Sequence, residues 1–127
     1  MESEKQYAKI IQTLRDAVYT CDESGYIKFF NRAAVELWGR DPKPGKDLYC
    51  GSHKILNKDG TDLPRENYPV AITLKESKPI ENAEITIQRP DGSFRHILQS
   101  STPIYNVYGK LTGAVNILID ITNKPKR

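Results

Sequence analysis

Along the first stretch of chain, Tyr7, Ile10, Ile11, Leu14 and Val18 are apolar at helical spacing, with Glu4, Lys5, Lys9, Gln12 and Arg15 on the other side. That period predicts an amphipathic helix over residues 1–16, one that must lie on something. Ser3 and Gln6 make a capping box at its start. Ala17–Asp22 then reads as a strand, Asp22-Glu23-Ser24-Gly25 as a turn and Tyr26–Phe30 as a second strand, together a hairpin. Asn31 is a strong N-cap for a helix carrying Ala33, Ala34, Val35, Leu37 and Trp38, and Gly39 ends it.

Arg40–Pro64 is the least patterned stretch, with Pro42, Pro44, Gly45 and Gly51 clustered early. A structureless loop of that length is unusual in a small domain, so short helical turns are expected, with an extended piece at Lys54-Ile55-Leu56 and a turn at Asp59-Gly60. Asn67–Ser77 reads as a helix with Pro69 in its first turn. Three longer strands follow, over Ile80–Arg89, Phe94–Ile104 and Leu111–Ile121, joined by turns at Pro90-Asp91-Gly92 and Asn106–Gly109. The last strand, within GAVNILIDIT, is apolar on both alternating faces, so both should be covered. Two short and three long antiparallel strands with helices between them make an α+β domain with one five-stranded sheet.

Composition limits what such a domain can do. Across 127 residues, 38% are hydrophobic and 28% charged, as in ordinary globular proteins. The net charge of +3 is too mild to imply nucleic acid, and part of it lies in the tail at Lys124, Lys126 and Arg127, read as solvated. No apolar run approaches the roughly 20 residues of a membrane helix, and the charged start does not read as a secretory signal, so no direct membrane contact is expected. Cys21 and Cys50 then read as free thiols in a reducing compartment, and the chain as cytoplasmic.

DAVYTCDESGYIKFFNRAAVELWG and RPDGSFRHILQSSTPIYNVYGKLTGAVNILIDIT together resemble the two halves of a PAS domain, in the order and spacing of their turns, the Asn after the second strand and the terminal Asp120-Ile121-Thr122. The likeness runs from about Leu14 to Thr122, with the domain itself over 17–122 and a linker beginning at 123–127. It implies a PAS fold with helices on one face of the sheet. It also implies a sensory or interaction module of a signal-transduction protein, often a two-component histidine kinase, whose effector would be covalently attached. In that family the last strand passes signal to a following helix, which makes Asp120 and Thr122 coupling residues and makes this chain look like a fragment of a larger protein.

Aligned by the family's turns, Tyr19, Cys21, Phe29, Asn31, Ile85, Ile87, Gln99, Ser101, Asn116 and Leu118 should face a pocket, with Tyr68 and Ile72 closing it and Trp38 nearby. Large apolar walls with three polar groups suit a small organic ligand. The plainer alternative is that Gln99 and Asn116 bond each other or a buried water. Val115, Ile117 and Ile119, with His96 and Leu98, should point to the other face. There the N-terminal helix, through Tyr7, Ile10, Ile11 and Leu14, and a second copy of the chain would cover them in a homodimer.

Other chemistry finds little support. Cys50-x-x-His53 is half of a zinc pattern, with Cys21 and His96 elsewhere, so no metal is expected. The resemblance raises haem and photoactive flavin, but Asn67–Ser77 has no His for an axial ligand and no Asn-Cys-Arg sequence exists, which argues against both. No nucleophile elbow or phosphate loop is present, and Asp22, Glu36 and Glu84 are candidate acids only as acids. The chain reads as a cytoplasmic sensor rather than an enzyme. The alternatives are a ligand-free dimerisation adaptor and a small stand-alone enzyme.

Overall fold

A computed structural model describes residues 12–123 continuously, together with Gln6, Lys9 and Ile10. Ala17–Asp22 (β1) and Ile27–Phe30 (β2) form the expected hairpin, followed by Arg32–Trp38 (α1), Lys54–Asn57 (β3), Pro69–Glu76 (α2), Ile80–Gln88 (β4), Phe94–Tyr105 (β5) and Leu111–Asp120 (β6). All strands join one antiparallel sheet in the order β2-β1-β6-β5-β4-β3. The sheet therefore has six strands and not five. The extended piece at Lys54-Ile55-Leu56 is long enough to pair with β4 and covers what would have been the sheet edge.

Asn31 organises the hairpin and α1 together. Its Oδ1 accepts from Ala34 N at 2.9 Å, as an N-cap, and from Val18 N at 3.0 Å on β1. Its Nδ2 donates to Asp16 O at 2.8 Å and Leu14 O at 3.3 Å. One side chain thus satisfies orphan groups of a helix, a strand and the segment entering that strand. Gly39 closes α1 in the left-handed region, with φ 71°. The second helix starts later than its apolar pattern implies. Tyr68 is extended before Pro69, as pre-proline residues prefer, and Asn67 falls in a separate 3-10 turn, Arg65–Asn67.

Between Arg40 and Pro64 the backbone outside β3 makes turns and bends, and the expected helical turns reduce to one, at residues 43–47, where Lys46 N and Asp47 N both donate to Lys43 O at 3.0 Å. Order comes instead from a strap onto the hairpin: Gly45 N donates to Ile27 O, Ile27 N to Asp47 O and Tyr49 N to Gly25 O. Those bonds occupy polar groups that a helix would otherwise have to satisfy internally.

The core lies between the inner sheet face and the helices. Tyr19, Ile27, Trp38, Ile87, Ile97 and Leu118 are fully buried there. On the outer face, Ile117 is 40% exposed. Among the described residues, the N-terminal segment leaves that face partly open. Gln6, Lys9, Ile10, Gln12 and Thr13 have helical backbone, while Ser3, Tyr7 and Ile11, like Lys124, Lys126 and Arg127, lie outside the described residues. Ile10 and Leu14 are 59% and 45% exposed, so neither buries against the sheet as expected. Gln12 Nε2 donates to Phe30 O at 2.8 Å, which ties the segment to the end of edge strand β2, away from β5.

Two stability predictions follow from this packing. Asn31→Ala removes a cap and strands buried backbone donors, so urea denaturation should show a loss of about 2–4 kcal/mol. A loss under about 1 kcal/mol would mean that the cap acts alone or not at all. Burial also pushes the Cys21 thiol from an ordinary 9.0 up to about 12. Burial likewise raises the Cys50 thiol and the Tyr19 phenol. The folded state holds protons that the unfolded chain releases, so this stabilisation is complete below pH 9.0 and is lost as pH rises toward 12. Urea midpoints should fall from about pH 8 to about pH 10.5, and the fall should be smaller in Cys21→Ala. Equal falls in the two proteins would show that Cys21 does not contribute.

Candidate functional site

The inner face carries a polar group at its centre. Ser101 on β5 stands opposite Asn116 on β6, and Gln99 stands opposite Leu118. Directly opposed residues share a face, so all of these point at the helices, and Gln99, Ser101 and Asn116 are fully buried. Gln99 Nε2 donates to Asn116 Oδ1 at 3.3 Å and to the Tyr19 hydroxyl at 3.2 Å. Tyr19 donates onward to Tyr49 O at 2.6 Å. Burial holds the Tyr19 phenol well above its usual range, so it stays a donor.

This run of hydrogen bonds is incomplete. Gln99 Oε1, Asn116 Nδ2 and Ser101 Oγ have no partner among the described residues, although none touches solvent. Turning one amide over would set like atoms against each other. Turning both over keeps the Gln99–Asn116 bond but again strands one donor and one acceptor. The mutual bond considered from sequence is therefore present, and it satisfies only half of each amide. Buried amides in that condition are uncommon and ask for a further partner.

Tyr19 packs edge-to-face on Trp38, with ring centroids 5.2 Å apart. Trp38 lies against Gly51, where an added Cβ would clash with the indole. Cys50, beside Gly51, joins the same core as Tyr19, Ile85, Ile87 and Leu118. Cys21 packs with Val70 and Ala114, and Tyr68 borders both groups.

Three expected pocket residues are placed differently. Phe29 pairs with Thr20, while Tyr19 pairs with Phe30, so Phe30 faces the core and Phe29 faces outward. Asn31 is engaged with backbone at both ends of its amide and does not reach the Gln99 group through any of those bonds. Ile72 is only half-buried. Because α2 begins at Pro69, Val70 and Thr73 turn toward the sheet instead, and Thr73 Oγ1 donates to Ser101 O at 3.4 Å. Thr73 lay in the helical register all along. Cys50 and Tyr49 had no periodic signal, because they sit in the strapped loop.

At the sheet's end, Asp120 and Thr122 form a clasp. Thr122 donates to Asp120 Oδ1 through its hydroxyl at 2.6 Å and its backbone N at 2.9 Å. The same hydroxyl accepts from His96 N at 2.9 Å, and Ile121 N donates to His96 O at 2.8 Å. Asp120 Oδ2 lies 3.9 Å from the Arg95 guanidinium. His96 itself bonds Thr86 Oγ1 through Nδ1 at 3.1 Å on the outer face.

No described helix is long and apolar enough to cross a membrane. Among the described residues, no three His, Cys, Asp or Glu side chains converge as a metal site.

The architecture matches known proteins. The PAS domain of a Colwellia psychrerythraea protein is 22% identical, with TM-score 0.63 and coverage of 96% of this chain and 99% of that one. The PAS domain of the fruit-fly ELK potassium channel is 16% identical, with TM-score 0.72 and coverage of 94% and 98%. The PAS domain of Bordetella pertussis BvgS is 18% identical, with TM-score 0.63 and coverage of 96% and 88%. At these identities the likeness is one of fold. No curated protein matches the sequence. The sequence family described as PAS domain matches residues 15–123, a span that contains every strand of the sheet, α1, α2 and the Asp120–Thr122 clasp, and the chain belongs to the PAS domain family.

Proposed function

We propose that this PAS domain is a cytoplasmic sensory module that binds a small organic molecule at Gln99, Ser101 and Asn116 and controls an attached effector, such as a histidine kinase. The observation that carries the reading is the stranded donor and acceptor pair, Asn116 Nδ2 and Gln99 Oε1, enclosed with Ser101 Oγ on the inner face. A ligand with an adjacent acceptor and donor, as on an amide or lactam edge, satisfies both amides at once. Tyr19, Cys21, Ile85, Ile87 and Leu118 supply walls, with Tyr68 and Trp38 on the helix side. The Asp120–Thr122 clasp is the coupling element, since it bonds β5 to the chain leaving β6.

A ligand-free adaptor is the second reading, favoured by the outer face. Phe29, Leu98, Val115, Ile117 and Ile119 share that face, and Ile117, Ile10 and Leu14 are exposed. A two-fold homodimer that buries them removes the patch from water. Dimerisation is compatible with sensing, so the two readings differ in whether the interior responds to a ligand.

A thermal-shift screen of polar metabolites should find a stabiliser, and Gln99→Leu with Asn116→Leu should abolish its effect while leaving a folded protein. Stabilisation that survives both changes would falsify the assigned site; a screen without hits, with dimerisation intact, favours the adaptor. Light scattering over a concentration series should show a dimer, and Ile10→Asp with Ile117→Asp should convert it to monomer. Because both positions are already exposed, the fold should survive, and a monomer at every concentration in the unaltered chain would refute the dimer.

A further inference from the structure

The strapped loop does more than close the core. Between it, β3 and the 3-10 turn lies a cleft of about 570 Å³, with Cys50 and Ile55 in its lining and Tyr68 on one wall. That volume lies within the usual range of about 300–1,000 Å³ for small-molecule sites. Its charge is one-sided. Three permanent cations, Arg40, Lys46 and Arg65, face one carboxylate, Asp47. Arg40 and Asp47 satisfy each other at 3.2 Å, and Arg40 also donates to Gly51 O at 2.6 Å. Asp47 accepts from Lys43 N as well, at 2.6 Å. Two positive charges, on Lys46 and Arg65, are left without a counter-charge among the described residues, and His53 adds ring nitrogens beside them.

A concave site bearing cations of one sign gathers counter-ions more strongly than a flat surface does. The walls are also fixed in advance. The strap holds residues 45–49 to the hairpin through backbone bonds, and the Arg40 bridge ties its base to Gly51. A ligand arriving there orders only the ends of exposed side chains, which lowers the entropy lost on binding.

We propose that this cleft binds a small oxyanion of two or more negative charges, a phosphorylated metabolite or a polycarboxylate, through Lys46, Arg65 and His53. The site is separate from the buried amides and stands whether or not they take a ligand. Cys50 belongs to both the cleft lining and the core around Tyr19, so an occupied cleft adjoins the inner face directly.

The test is an amide-shift NMR titration of the whole chain with pyrophosphate and, separately, citrate, at ionic strength held constant with sodium chloride. Saturable shifts confined to residues 46–53 and 65–68 are expected, with pyrophosphate the tighter if the ligand is phosphorylated and citrate if it is a polycarboxylate. Lys46→Gln with Arg65→Gln should weaken binding about tenfold or more with the melting temperature held, since both side chains are exposed. Lys78→Gln with Lys110→Gln removes the same charge elsewhere and should change affinity less than about twofold. Equal weakening in the two double variants, or shifts that stay linear to about 20 mM, would overturn the proposal. Gln99→Leu with Asn116→Leu should leave the titration intact, which separates this outcome from that of the interior site.

Discussion

A buried amide must find all its partners inside the protein, and much of this structure depends on how three of them do so. Asn31 bonds backbone at both ends of its side chain and thereby fixes the hairpin, α1 and the entry to β1 in one arrangement. Gln99 and Asn116, on the two central strands, bond each other, and among the described residues each keeps one amide atom without a partner. The same chemical group is saturated where the fold needs a fixed geometry and unsaturated in the centre. A half-satisfied polar group weakens a core that hydrocarbon would fill more cheaply, and a buried water or a bound ligand would each complete it.

The sheet was largely legible in the sequence because its signals are local. Gly25, Gly92 and Gly109 mark turns, Asn31 and Gly39 bracket a helix, and period-two patterning orients Ile85, Ile87, Gln99 and Asn116 correctly. Phe29 was misplaced because β1 and β2 slip register between Thr20 and Cys21, and such a bulge swaps the faces beyond it. Ile72 was misplaced because the helix buries Pro69, Val70, Ala71 and Thr73, a face that includes a threonine where the apolar pattern favoured isoleucine. Neither leaves a trace in composition.

The strapped loop was the part least readable in advance. Its order comes from bonds between residues about 20 apart, such as Tyr49 to Gly25 and Asp47 to Ile27, and no short window contains both partners. The cationic cleft depends on the same distant pairing, since Arg65 and Lys46 come to line one cleft only after the loop folds back. Isolated lysines and arginines in a mildly basic chain look like solvated charge until the backbone brings them to one concavity.

The Asp120–Thr122 clasp has a mechanical consequence. The ladder between β5 and β6 is held by backbone bonds along its length, but in its final rung only Ile121 N to His96 O is a backbone bond, and the return bond runs from His96 N to a threonine hydroxyl that Asp120 holds in place at the solvent boundary. Rungs of that kind open at a small fraction of the free energy needed to separate the strands. The departing chain can therefore peel from His96 and rejoin it many times while the sheet stays whole. Under the proposed coupling role, what passes out of the domain there would be a difference in how often the last rung is closed, a population and not a new shape.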